Sequence, residues 1–121
     1  MKVWELSDAG RKEYFPDENN DCAVRAYAIA FDIPYYQAHK ELADFGRKNG
    51  KGIVFHRFLA YKGIYVTRHK GTVKRFIEEH SEGVYIAKIR RHVFAVKEGK
   101  IFDTVYDYER SHITWYIKVT K

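Results

Sequence analysis

The sequence predicts one α+β domain over residues 1–121, with N-terminal helices packed on a C-terminal antiparallel sheet. Three observations lead there. Residues 22–80 carry apolar side chains at helical spacing between breakers, whereas from Val84 onward the chain turns to runs rich in Val, Ile, Tyr, Phe and Thr, which favour strands. Helices followed by strands, rather than alternating with them, make an α+β domain. Finally, 121 residues, 45% of them hydrophobic, suffice for one core without metal or disulfide staples and leave no room for a second domain.

Residues 1–15 read as an extended lead-in with a single short strand, Val3, Trp4, Leu6, Tyr14 and Phe15 being set around a polar Ser7-Asp8-Ala9-Gly10 turn. Residues 16–20 form a loop. The first long helix starts at Asp21 or Cys22, where Asn and Asp side chains are placed to cap first-turn N–H groups, and it runs to about Phe31. Its Ala23, Ala26, Ala28 and Ala30 let a sheet approach closely, which makes it the central helix. Asp32-Ile33-Pro34 breaks it, and Pro34 suits the start of a second helix over 35–47. Tyr35, Ala38, Leu42 and Phe45 form the apolar stripe of that helix, with His39 beside the stripe on the helix surface. Gly46, Gly50 and Gly52 make a flexible basic connection to a third helix over 53–61, ended by Gly63. A strand at 64–67 and a fourth helix follow; Thr72 caps that helix, which reaches about His80 with Val73, Phe76 and Ile77 inward. Strands over 84–89, 92–96, 100–106 and 112–119 complete the sheet.

No apolar run approaches the length of a transmembrane helix or a signal-peptide core, so the protein is expected to be soluble and cytoplasmic. The single cysteine, Cys22, excludes an intramolecular disulfide and permits a reducing compartment. The net charge of +6 favours acidic partners, either nucleic acid or an acidic protein surface. Lys88, Arg90 and Arg91, with Tyr85 and His92 nearby, form the densest basic cluster, and a solvated strand end accounts for them more simply. P-loop, zinc-finger and RNA-recognition signatures are absent. His39, His56, His69, His80 and His112 show no close metal-ligand spacing, and with one cysteine neither metal nor cofactor is expected. Tyr35, Tyr36, Tyr85, Tyr106, Tyr108, Trp115 and Tyr116 read as packing aromatics.

Two stretches carry chemistry. Asn19-Asn20-Asp21-Cys22-Ala23-Val24-Arg25-Ala26 places the lone thiol in the first turn of a buried helix. There the positive end of the helix dipole lowers a thiol's pKa, and unpaired N–H donors can hold an oxyanion. Asp21 opposes the shift unless its charge is absorbed as a cap. A free cysteine is otherwise a core filler. The second stretch, residues 91–104, is a hairpin with Glu98-Gly99 at its tip. A two-residue loop sets His92 opposite Val105 and Phe94 opposite Asp103, so His92 and Asp103 share a face as diagonal neighbours roughly 7–8 Å apart at the backbone. A three-residue loop, Lys97-Glu98-Gly99, sends Asp103 to the opposite face. Both loops are physically reasonable.

Cys22-Ala23-Val24-Arg25-Ala26 resembles the nucleophile segment of papain-like cysteine peptidases of the ovarian-tumour type, where Asp-Gly-Asn-Cys-Leu-Phe-Arg-Ala is typical. With the later His92-x-x-Ala95-Val96 hairpin, the chain is similar to small predicted papain-like peptidases of bacteriophages and bacteria. The resemblance implies a papain-like fold, with a nucleophile-bearing helix packed on a sheet that carries the base. It implies Cys22 as nucleophile, His92 as general acid and base, Asp103 as the carboxylate that orients the imidazole, and Asn19 as an oxyanion helper through its amide; Asp107 is a spare for Asp103. It also favours the two-residue loop, because the family has His at a strand start and Asp on the next strand. Asn20 and Asp21 depart from the pattern, which prefers Gly and Asn there. The implied activity is that of a cysteine peptidase or isopeptidase on a protein or peptide amide, working in a host cytoplasm if phage-encoded; deamidation and acyl transfer share the machinery. The alternative is a non-catalytic papain-like scaffold whose basic surface binds nucleic acid or an acidic host protein.

Overall fold

The computed structural model describes residues 4–15, 18–105 and 107–120, Tyr14 by its backbone alone. The packing roles expected of Val3, Tyr14 and Tyr106, and the part of the loop at Pro16 and Asp17, lie outside the described residues. In chain order the elements are β1 (Trp4–Leu6), α1 (Arg11–Tyr14), α2 (Cys22–Phe31), α3 (Tyr35–Phe45), α4 (Phe55–Tyr61), β2 (Thr67–Arg68), α5 (Val73–Glu79), β3 (Val84–Ile89), β4 (His92–Lys97), β5 (Lys100–Asp103) and β6 (Trp115–Val119). The strands join in the order β1-β5-β4-β3-β6-β2, with helices on both faces, so the domain is α+β.

The alternation of side chains along β4 sorts the core. Val93 and Ala95 pack under the alanine-rich surface of α2, together with Tyr35, Leu42, Phe55 and Phe58 from α3 and α4. Phe94 and Val96 point to the other face, where they meet Ile101 and the Val73, Phe76 and Ile77 side of α5. A strand covered on both sides needs an unbroken apolar run, and Val93-Phe94-Ala95-Val96 supplies one. Thr72 Oγ1 accepts from Arg75 N (3.2 Å), while the Val73 and Lys74 N–H groups donate to the Ser111 and Glu109 carbonyls (2.9 and 3.0 Å). The cap and the 109–111 segment together satisfy the start of α5.

Several elements differ from the sequence expectation. The sheet is mixed: β1 lies parallel to β5, pairing Trp4 with Ile101 and Leu6 with Asp103, because the lead-in returns as an edge strand. Beyond it, the Asp8 carboxylate accepts from the Gly10 and Lys12 N–H groups and nucleates the short α1, where only a strand was expected. Residues 64–67 were expected as a strand, but only Thr67 and Arg68 pair. Ile64 instead closes α4, its N–H donating to the Leu59 carbonyl (2.8 Å) past Gly63 at φ 81°. α4 begins at Phe55, β5 ends at Asp103 and β6 begins at Trp115, so the described residues 104–105 and 107–114 lie outside the strands, and the isolated bridge among them is Thr72–His112.

His39 is buried, not on the surface. Its ring stacks on Phe15 (centroids 4.1 Å apart), and Nε2 meets Glu18 Oε2 at 2.8 Å. Glu18 also accepts from Arg47 Nη1 (3.1 Å), Gly50 N (2.6 Å) and Asn19 N (3.0 Å). Burial pushes the Glu18 carboxyl up, but the hydrogen bonds from Arg47, His39 and these two backbone groups outweigh it and bring it down to about 2. The cluster straps the loop before Cys22 onto the α3–α4 connection. Glu18→Gln is therefore expected to cost about 3 kcal/mol at neutral pH, since it leaves Arg47 buried without its counter-charge. Because the folded-state pKa is depressed, that contribution is complete above about 4.5 and fades as pH falls toward 2. Urea midpoints of the two proteins at a series of acid pH values should converge accordingly.

Candidate active site

The site is assembled where the first turn of α2 meets the ends of β4 and β5. Asp21 is the N-cap residue of α2, but its side chain caps nothing, contrary to the sequence expectation. The carboxylate turns inward, 1% exposed, and accepts from Arg25 Nε (3.1 Å), Tyr35 Oη (2.8 Å) and Arg11 Nη1 (3.4 Å). A buried carboxylate is far better compensated by a guanidinium one helical turn away than by a neutral N–H. Its charge is thus absorbed by cations, and the first-turn N–H groups of α2 are left without a side-chain acceptor.

Arg25 reaches in a second direction as well. Nη1 donates to Asp103 Oδ1 (2.7 Å) and to Thr104 Oγ1 (3.0 Å), so one buried guanidinium ties the helix bearing Cys22 to the strand bearing Asp103. Asp103 Oδ1 also accepts from Thr104 N (2.7 Å). Its other oxygen, Oδ2, accepts from His92 Nε2 (2.6 Å) and from Tyr108 Oη (2.5 Å). Burial alone would raise the Asp103 carboxyl; the hydrogen bonds from His92 and Tyr108 and the charges of His92 and Arg25 hold it near 2.

The register that permits this is the two-residue loop. Lys97 pairs with Lys100, Val96 with Ile101 and Ala95 with Phe102. Glu98 and Gly99 have φ of 49° and 76°, the two positive values of a type I′ turn. Glu98 is held there by neighbours: its N–H donates to the Gly83 carbonyl (2.9 Å), and its carboxylate accepts from Gly83 N (3.2 Å). Tertiary contact thus supplies what a Glu-Gly dipeptide does not supply by itself.

With Nε2 occupied by Asp103, the ring nitrogen left for the sulfur is Nδ1. The half-buried Cys22 thiol lies against the His92 imidazole and the Val93 backbone N–H. Burial raises the thiol pKa, but hydrogen bonding from His92 and Val93 and the positive charges of His92 and Arg25 outweigh it, and the net shift is downward. Burial likewise lowers the imidazole pKa, and Asp103 and Cys22 reverse that and lift His92 to about 9. Tyr108 sets its ring edge-on to His92 (centroids 5.4 Å, 78°), and its hydroxyl, buried and bonded to an anion, is raised well above the ordinary phenol range.

Cys22, His92 and Asp103 are therefore brought together. Asn19 is not drawn in with them: it is exposed, and its Oδ1 sits over Gly50 in the strap. Asp107 is exposed on the segment beyond β5, and the acid that holds His92 is Asp103. Sequence reasoning missed Arg25 and Tyr108. Arg25 did leave a signal, as a cation among the alanines of a helix expected to be buried, four residues after Asp21. Tyr108 left none, because an irregular segment carries it back onto His92. Among the described residues no group of three or more His, Cys, Asp and Glu side chains could hold a metal ion, and no helix is long and apolar enough to cross a membrane. Comparison with family models, with curated proteins and with solved structures finds no match for this chain, so the reading of the site rests on its geometry.

Proposed function

We propose that the protein is a thiol-dependent hydrolase of papain-like fold that cleaves a protein or peptide amide. One observation carries this reading: a helix-tip thiol and a strand-borne imidazole in contact, with a buried carboxylate on the far nitrogen of the ring. That is the nucleophile, base and orienter relation of acyl-transfer enzymes. His92 Nδ1 takes the thiol proton, and Asp103 stabilises the resulting imidazolium through Nε2. Arg25 and Tyr108 keep Asp103 ionised, so it orients the ring and does not accept the proton. The thiolate forms a bond to the acyl carbon, and the Cys22 N–H at the start of α2 holds the oxyanion. His92 then protonates the leaving amine as the C–N bond breaks. Water adds to the thioester, His92 takes its proton, and the acid leaves as the thiol is restored.

The test is a burst of p-nitrophenolate from p-nitrophenyl acetate, with the acetyl group trapped on Cys22. The absence of both burst and trapped acetyl would sink the reading. For amide cleavage the rate is expected to rise with pH through the depressed thiol pKa and to fall near pH 9, where His92 loses the proton it must donate. Stability moves with the same group. Its folded-state pKa is raised, so its contribution is complete below about 6.5 and is lost as pH rises through about 9.

A further inference from the structure

Resting on the thiol-hydrolase reading, we propose that the site selects acid-rich polypeptide segments. A basic segment adjoins each of Cys22 and His92. On the nucleophile side, the segment 46–52 is strapped to the residues just before Cys22. Asn20 Nδ2 donates to the Gly50 carbonyl (2.9 Å), and Arg47 Nη2 donates to the Asn19 and Asn20 carbonyls (3.2 and 3.3 Å). Lys48 and Lys51 are exposed on that strap. On the base side, Arg90 and Arg91 form the exposed β3–β4 turn, and Arg91 is held at φ 62° directly before His92.

The acids around the site do not offset these cations. Glu18, Asp21 and Asp103 are buried and neutralised by Arg47, by Arg11 with Arg25, and by Arg25 with His92. Asp107 is exposed on the segment after β5; of the exposed acids flanking the two basic segments, Asp44 is paired with Lys40 (2.9 Å) and Glu98 accepts from Gly83 N (3.2 Å). Charges within a Debye length of about 8–10 Å raise the local concentration of an oppositely charged substrate and speed its capture. Two features favour a polypeptide over nucleic acid. A thiolate that attacks acyl carbon finds its target there, and Leu6 and Val105, 70% and 48% exposed beside Asp103, offer apolar contacts that a phosphate backbone does not use.

The experiment uses two chloroacetyl peptides of equal length, one Glu-rich and one Lys-rich. Cys22 sulfur displaces chloride from either, forming a thioether. At low salt the Glu-rich reagent is expected to label about tenfold faster. That ratio should fall toward one at about 1 M salt, where the Debye length is about 3 Å. It should fall likewise in a Lys48→Gln, Lys51→Gln, Arg90→Gln, Arg91→Asn variant, Asn being chosen for its tolerance of positive φ. Equal rates for the two peptides, with rapid labelling by neutral iodoacetamide, would overturn the acid preference and leave the thiol reading standing. Iodoacetamide labelling no faster than that of free cysteine would overturn the thiol reading itself. Protection of Cys22 by a single-stranded oligonucleotide, but not by the acetylated Glu-rich peptide, would overturn the choice of a polypeptide.

Discussion

Replacing Arg25 by methionine is expected to lower the unfolding free energy by about 3–5 kcal/mol, because it leaves buried carboxylates without their shared cation. Asp21 and Asp103 are 1% and 2% exposed, and the guanidinium serves both, through Nε on one side and Nη1 on the other. Methionine conserves much of the length and apolar stem, so the loss reports charge and hydrogen bonding rather than a cavity. Arg25→Lys should recover only part of it, since a point-like ammonium cannot fork to Asp21, Asp103 and Thr104 together. Asp21→Asn in the methionine background should restore some of the loss by removing one of the stranded charges. Urea melts of the four proteins at neutral pH decide the matter. A loss below about 1 kcal/mol for Arg25→Met, the range of exposed pairs, would mean that the network is not the tie between α2 and β5 described above.

His92→Ala should slow alkylation of Cys22 by iodoacetamide at pH 6 by on the order of a hundredfold. In the wild-type protein, His92 and the Val93 N–H favour the thiolate, and the imidazolium persists to about pH 9. Without the imidazole, burial raises the thiol with one fewer opposing group, and even an ordinary thiol is less than about 1% ionised at pH 6. The greater nucleophilicity of a less acidic thiol returns only part of the loss. Because alkylation needs no substrate, the measurement separates the state of the thiol from any question of specificity. Equal rates for wild type and variant, both matching free cysteine, would show that His92 does not govern the sulfur.

The contrast between these two residues marks what could be read from the chain. His92 stood out because it opens a hairpin strand legible as the apolar run Val93-Phe94-Ala95-Val96, and because the two-residue loop puts it within reach of Asp103. The loop length itself was open, and the partners of Glu98 across the sheet settled it through Gly83. Arg25 was in plain view but had no legible role, since its partner Asp103 lies 78 positions away. His39 was misplaced for the same reason. Helical spacing put it at the margin of the α3 stripe, and only Glu18, 21 positions earlier, makes it a buried residue. Asp21 was read as a cap because Asp before an apolar run usually is one; the nearby guanidinium wins because charge-assisted bonds in a buried setting are stronger.

By itself the sequence determined the kind of each main element, the start of α2 to within one residue of the only cysteine, and the change from helices to strands at Val84, because periodicity, breakers and turn residues act over a few neighbouring positions. It did not determine which charges meet in the interior. The pairing of Arg25 with both Asp21 and Asp103, the return of Tyr108 onto His92 and the parallel docking of β1 on β5 join residues far apart in the chain. Burial sets the strength of those contacts, and burial exists only once the sheet and its helices have closed.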